Sequence, residues 1–81
     1  MSENIYTIYK DRKGKIWLGT ENGLSYRDEQ ENSFVHYTTN EGLEDNAVRA
    51  ITEDENGFLW LSTNNGISRF DPLNQHFINY I

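Results

Sequence analysis

Apolar residues come in short runs along this chain, and none reaches helix length before a Gly or an Asn-Gly interrupts it. In "KIWLGT" (Lys15–Thr20) strict alternation sends Ile16 and Leu18 to one face of an extended segment and Trp17 to the other. "FLWLST" (Phe58–Thr63) repeats the arrangement, with Leu59 and Leu61 opposite Trp60. The pattern predicts strands near Ile5–Lys10, Lys15–Thr20, Leu24–Arg27 and Phe34–Thr38, then near Val48–Glu53, Phe58–Thr63, Ile67–Phe70 and Phe77–Ile81. Sheets apolar on both faces must be covered on both.

The two sets of strands are copies. A shift of 43 positions lays residues 1–38 on 44–81 without a gap, and 12 of those 38 pairs are identical. They include Asp11/Asp54, Gly14/Gly57, Trp17/Trp60, Asn22/Asn65, Gly23/Gly66 and Ser25/Ser68. A period in the low forties belongs to propeller blades or to paired-helix solenoids. Turn chemistry decides against helices. "DRKG" and "DENG" suit type I turns closed by a left-handed glycine, with the Asp carboxylate accepting backbone N–H groups. "ENG" and "NNG" predict type I′ hairpins with both central residues at positive φ. "DEQENS" and "DPLNQH" are polar connectors. The expected fold is all-β, two four-stranded antiparallel propeller blades: residues 1–38, then a crossing segment at 39–47, then residues 48–81.

The combination "DxxGxxWxxTxNGxS" with a following "F(V/I)xY", and the link "TNEGLEDNAV", resembles the two-component regulator propeller repeat over essentially the whole chain. The resemblance implies blades of the large periplasmic sensor propellers of bacterial hybrid two-component systems, which are thought to help sense ligands such as glycan breakdown products. It therefore implies a periplasmic location. WD and kelch repeats lack support, because neither Trp-Asp nor Gly-Gly occurs. Sialidase Asp-boxes and quinoprotein blades have related hairpins at other spacings.

Composition narrows the partners. With 14% aromatic residues and one Pro, a chain only 36% hydrophobic still reads as folded rather than disordered. No Cys is present, so thiolate sites and disulfides are out of reach. A net charge of −6 repels phosphate backbones, and "KDRKGK" reads as a solvated turn, so no nucleic acid is expected. No apolar run suits a membrane span, and "MSENIYT" does not read as a signal peptide, so no membrane partner is expected.

No catalytic constellation emerges, and neither a cofactor nor a metal is expected. His36 and His76 occupy non-equivalent positions on or near outer strands. Asp11 and Asp54, like Asp28 and Asp71, sit where turns need them, and Trp17 and Trp60 sit in mid-strand as core residues. A sialidase- or lyase-type enzyme fragment would need two recurring carboxylates away from turns. "DENG" lacks the alternating ligands of a calcium loop. If a ligand site exists, it belongs at the ring mouth, where Asn4, Tyr6, Asn46 and Arg49 converge and could take an oligosaccharide or a multivalent anion.

Two blades leave two apolar faces uncovered, more than a soluble monomer tolerates. The expected partner is therefore the chain itself, in a cyclic homo-oligomer of six or eight blades. Tyr6, Tyr9 and Arg49 on the inner strands favour a wide axis, hence the tetramer over the trimer. A second copy of Thr39–Leu43 is missing at the junction, which suits an excised or designed blade pair.

Overall fold

A computed structural model describes residues 4–80, so the outermost residues of the two expected blades, Ile81 of the last strand among them, lie outside the described part. Eight strands form two sheets: β1 (Ile5–Lys10), β2 (Ile16–Thr20), β3 (Gly23–Asp28) and β4 (Ser33–Tyr37), then β5 (Val48–Glu53), β6 (Leu59–Thr63), β7 (Gly66–Asp71) and β8 (His76–Tyr80). Each sheet is a four-stranded antiparallel meander in sequence order. Strand ends fall within a residue or two of the positions expected from the pattern.

The Asp-Gly turns form as their residues dictate. Gly14 N–H donates to the Asp11 carbonyl at 3.0 Å and Gly57 N–H to Asp54 at 3.2 Å, with φ of 88° and 85° at the two glycines. The Asn-Gly hairpins do not. Gly23 and Gly66 have φ of 126° and 141°, but Asn22 and Asn65 are not left-handed, so the type I′ expectation is corrected. The reason is register: Thr20 pairs with Gly23 and Thr63 with Gly66, so the glycine is already the first strand residue. Thr20 and Thr63 complete the turn, each hydroxyl accepting the N–H of the Asn and donating to the Gly carbonyl.

Two features were not read from the sequence. Thr39–Glu41 forms a short 3-10 turn inside the crossing segment, closed by a capping box between Thr38 and Glu41. Both inner strands carry a bulge: pairing jumps from Ile5↔Thr20 to Thr7↔Gly19, and from Val48↔Thr63 to Ala50↔Ser62. Tyr6 and Arg49 are the extra residues.

The sheets stack face to face. Trp17, Leu24 and Tyr37 on the back of the first sheet pack against Leu59, Leu61, Phe70 and Phe77 on the front of the second. Aromatic rings interlock across the seam, with Trp17–Phe70 centroids 5.8 Å apart and Tyr37–Phe70 centroids 4.8 Å apart. Gly19 lets the inner strands close up: a Cβ there would lie 2.7 Å from the Val48 carbonyl oxygen. Leu43 of the crossing segment joins the same core.

Candidate functional site

Repeat-equivalent positions have opposite fates. Ile51 is 9% exposed where its equivalent Ile8 is 65% exposed, and Phe77 is 8% exposed where Phe34 is 50%. On the other face Leu24 is fully buried and its equivalent Ile67 is 45% exposed. The front of the first sheet (Ile8, Ile16, Phe34) is thus the repeat equivalent of a surface buried at the seam, and so is the back of the second sheet (Trp60, Ile67, Tyr80). Both carry shallow apolar hollows, of about 270 Å³ beside Ile16, Leu18 and Phe34, and about 220 Å³ beside Trp60, Leu61 and Ile67. Among the described residues, both faces leave large apolar side chains exposed, Ile8, Ile16 and Phe34 on one and Ile67 and Tyr80 on the other.

A carboxylate–indole clamp braces each sheet. Asp11 Oδ1 accepts the N–H groups of Lys13 and Lys15, and Oδ2 accepts Trp17 Nε1–H at 2.8 Å. Asp54 does the same for Asn56, Phe58 and Trp60, again with 2.8 Å to the indole. The Trp60 bond, chiefly, holds the Asp54 carboxyl below the usual aspartate range. Asp71 is also lowered: desolvation pushes it up, and hydrogen bonds from Asn74 and Leu73 outweigh that. Burial, with Tyr26 and Glu41 nearby, pushes the Tyr37 phenol up. His36 Nδ1 lies 2.7 Å from Ser25 Oγ, and in the second sheet Ser68 Oγ donates to Asn79 Oδ1 at 2.6 Å. These contacts tie middle to outer strands. Among the described residues no three Asp, Glu or His side chains converge as metal ligands do.

The four residues expected at the mouth divide. The bulges bring Tyr6 and Arg49 together, the Arg49 guanidinium carbon lying 4.2 Å from the Tyr6 ring centroid. Arg49 Nε–H also donates to Asn64 Oδ1 at 3.1 Å. Asn4 is held by Glu21, its backbone N–H and Nδ2 each 3.3 Å from a carboxylate oxygen. Asn46 turns into the crossing segment, where its Oδ1 accepts Thr39 N–H at 2.9 Å. Glu21 and Asn64 are therefore further polar groups at this end. A signal for the bulges existed: Ile5 and Ile8, like Val48 and Ile51, are three apart, a spacing that regular strand alternation does not explain.

Comparison with known proteins agrees with this geometry. The family model described as "Two component regulator propeller" matches residues 1–22 and 42–65. A solved structure, the extracellular domain of BT3049 from B. thetaiotaomicron, described as a hybrid two-component system, is 37% identical with a TM-score of 0.88. The alignment covers 95% of this chain and 11% of that one, so the chain spans a small fraction of its relative. No curated protein gives a significant match. The chain belongs to the two-component regulator propeller family.

Proposed function

We propose that the chain is a non-catalytic pair of propeller blades that assembles with copies of itself, the back of the second blade seating on the front of the first blade of the next copy. The observation that supports this is the equivalence of faces: each exposed face holds the repeat-equivalent positions of one already buried at the internal seam, with apolar residues kept at Ile8, Ile16, Phe34, Trp60, Ile67 and Tyr80. Head-to-tail contacts of this kind give rings where the rotation per copy closes and open filaments where it does not; a closed ring of two-blade chains would have six or eight blades. The relation to an extracellular domain supports a periplasmic or extracellular location; among the described residues no helix is long and apolar enough to cross a membrane.

Native mass spectrometry and light scattering across a dilution series test the reading. The expected result is one discrete multiple of the 9.5 kDa chain. Ile16→Asp on the front face and Ile67→Asp on the back face each return it to the single-chain mass while far-UV circular dichroism is retained. A wild-type chain that stays at 9.5 kDa at its highest soluble concentration, with cooperative unfolding, overturns the proposal.

A second reading concerns the mouth. The stacked Tyr6–Arg49 pair at two bulges supports recognition of an oligosaccharide or a multivalent anion, by stacking and by charge. Saturable calorimetric binding lost in Arg49→Ala is the expected outcome. Unchanged binding in that variant removes the site from consideration.

A further inference from the structure

At the internal seam the turn of the first blade meets the inner strand of the second through charge. The Arg12 backbone N–H donates to Glu53 Oε1 at 3.0 Å, and the charged contact is the Arg12 guanidinium Nε, 4.0 Å from the same carboxylate oxygen. Carried forward one repeat, position 12 becomes Glu55, and carried back one repeat, position 53 becomes Lys10. Both signs invert together. A copy seated on the next in the pose of the internal seam therefore places Glu55 against Lys10 of its neighbour, an ion pair of reversed polarity. Glu55 and Lys10 are both exposed in the single chain.

Other seam contacts transfer in the same way. Trp17–Phe70 becomes Trp60 against Arg27 of the next copy, a cation–π contact replacing an aromatic edge. Tyr37–Phe77, with centroids 6.1 Å apart, becomes Tyr80 against Phe34, both exposed in the single chain. Tyr6–Arg49 becomes Arg49 against Tyr6, so the two residues alternate around the axis. Like blades fail in this pose: a first blade on a first blade opposes Arg12 to Lys10, and a second on a second opposes Glu55 to Glu53.

We infer that the two exposed faces form a charge-coded docking surface for a second copy of this chain, in which Glu55 of one copy pairs with Lys10 of the next and fixes the order first blade, second blade, first blade. The inference rests on the self-assembly proposed above. It adds what recognises what: apolar packing supplies adhesion, and the inverted ion pair selects the partner face and pose.

The test is a charge exchange between chains. Lys10→Glu faces Glu55 with a like charge, and Glu55→Lys faces Lys10 with a like charge. Each variant alone is expected to lose about three- to tenfold in the affinity of every contact, which the closed assembly multiplies around the ring. An equimolar mixture is expected to recover strong association, read by native mass spectrometry as even-numbered species with equal numbers of the two chains, because every contact between unlike variants is again Glu against Lys. A three-chain ring cannot alternate, so a trimeric wild type would give way to an even-numbered species on mixing. Recovery on mixing also shows that both variants fold. Two results overturn the inference while leaving self-assembly standing: single variants that assemble like wild type, or a mixture that stays as weak as its components. A wild-type chain that never associates overturns the parent reading instead.

Discussion

At the residue scale the same clamp does different work in the two blades. Asp11 reaches the indole of Trp17, which is 1% exposed, whereas Asp54 reaches that of the half-buried Trp60. Removing the carboxylate in Asp11→Ala strands a buried indole N–H as well as two turn N–H groups, at a cost of about 2 kcal/mol. In Asp54→Ala the Trp60 N–H can turn to water, so the loss is smaller. Urea midpoints of the two variants, measured on dilute single chains, should fall in that order; the reverse order would mean that the seam does not shield Trp17. The Asp54 carboxyl also sets part of the acid limb. Its folded pKa lies below the usual value, chiefly because of the Trp60 hydrogen bond, so it binds protons more readily in the unfolded chain. Its stabilisation is complete above the ordinary aspartate pKa, about 4, and is lost as pH falls through the lower folded value. Asp54→Asn should therefore flatten the stability profile below that pH and leave its neutral slope unchanged. An acid limb as steep as wild type would assign the effect to other carboxylates.

Elements follow from spacing, and their deviations follow from neighbours that spacing does not show. The strands, both Asp-Gly turns and the two-sheet division were legible because alternation, Gly placement and the 43-residue repeat agree. The Asn-Gly turn was misread because Thr20 and Thr63 hold the turn with their hydroxyls, which moves the glycine into the strand. Of the candidate mouth residues, sequence grouped four, and the structure joins Tyr6 to Arg49 while Glu21 holds Asn4 and the crossing segment holds Asn46. Those attachments depend on side-chain reach, to which the 43-residue period is blind. The repeat preserves interactions as well as residues: Lys15 lies 4.0 Å from the Tyr26 ring centroid, and at the equivalent places Arg69 lies 4.6 Å from that of Phe58, with cation and ring exchanged. Gly19 marks a close approach between the sheets. Gly19→Ala would set a methyl 2.7 Å from both the Val48 carbonyl oxygen and Thr7 Cγ2. The sheets must then part, at a cost of about 1–3 kcal/mol. Lower urea midpoints with greater solvent exposure of Trp17 fluorescence are expected; an unchanged spectrum would mean that β1 and β5 shift without opening the seam.

At the scale of the whole molecule, this same approach bears on how many copies close a ring. The position equivalent to Gly19 is Ser62, and that equivalent to Val48 is Ile5. In the proposed contact between copies, then, a serine Cβ would occupy the place where the internal seam has room for none. Part of the crowding is relieved, because Ala50 stands where the first blade has Thr7, but the carbonyl of the neighbouring inner strand remains. If copies seat as proposed, their inner strands stand slightly further apart than at the internal seam, while the outer part of the contact, Tyr80 against Phe34, keeps its aromatic filling. Extra width at the axis with unchanged width outside makes the wedge between successive blades narrower, and narrower wedges need more blades to complete a turn. In the ring proposed above, this favours four chains over three. Ser62→Gly removes the Cβ and lets the inner strands approach as they do at the internal seam. Native mass spectrometry should show wild type mainly as tetramer and Ser62→Gly with a larger trimer fraction, while Ser62→Val holds the tetramer or weakens it. A trimer in wild type, or a Ser62→Gly population identical to it, would place control of ring size in the outer strands rather than at the axis.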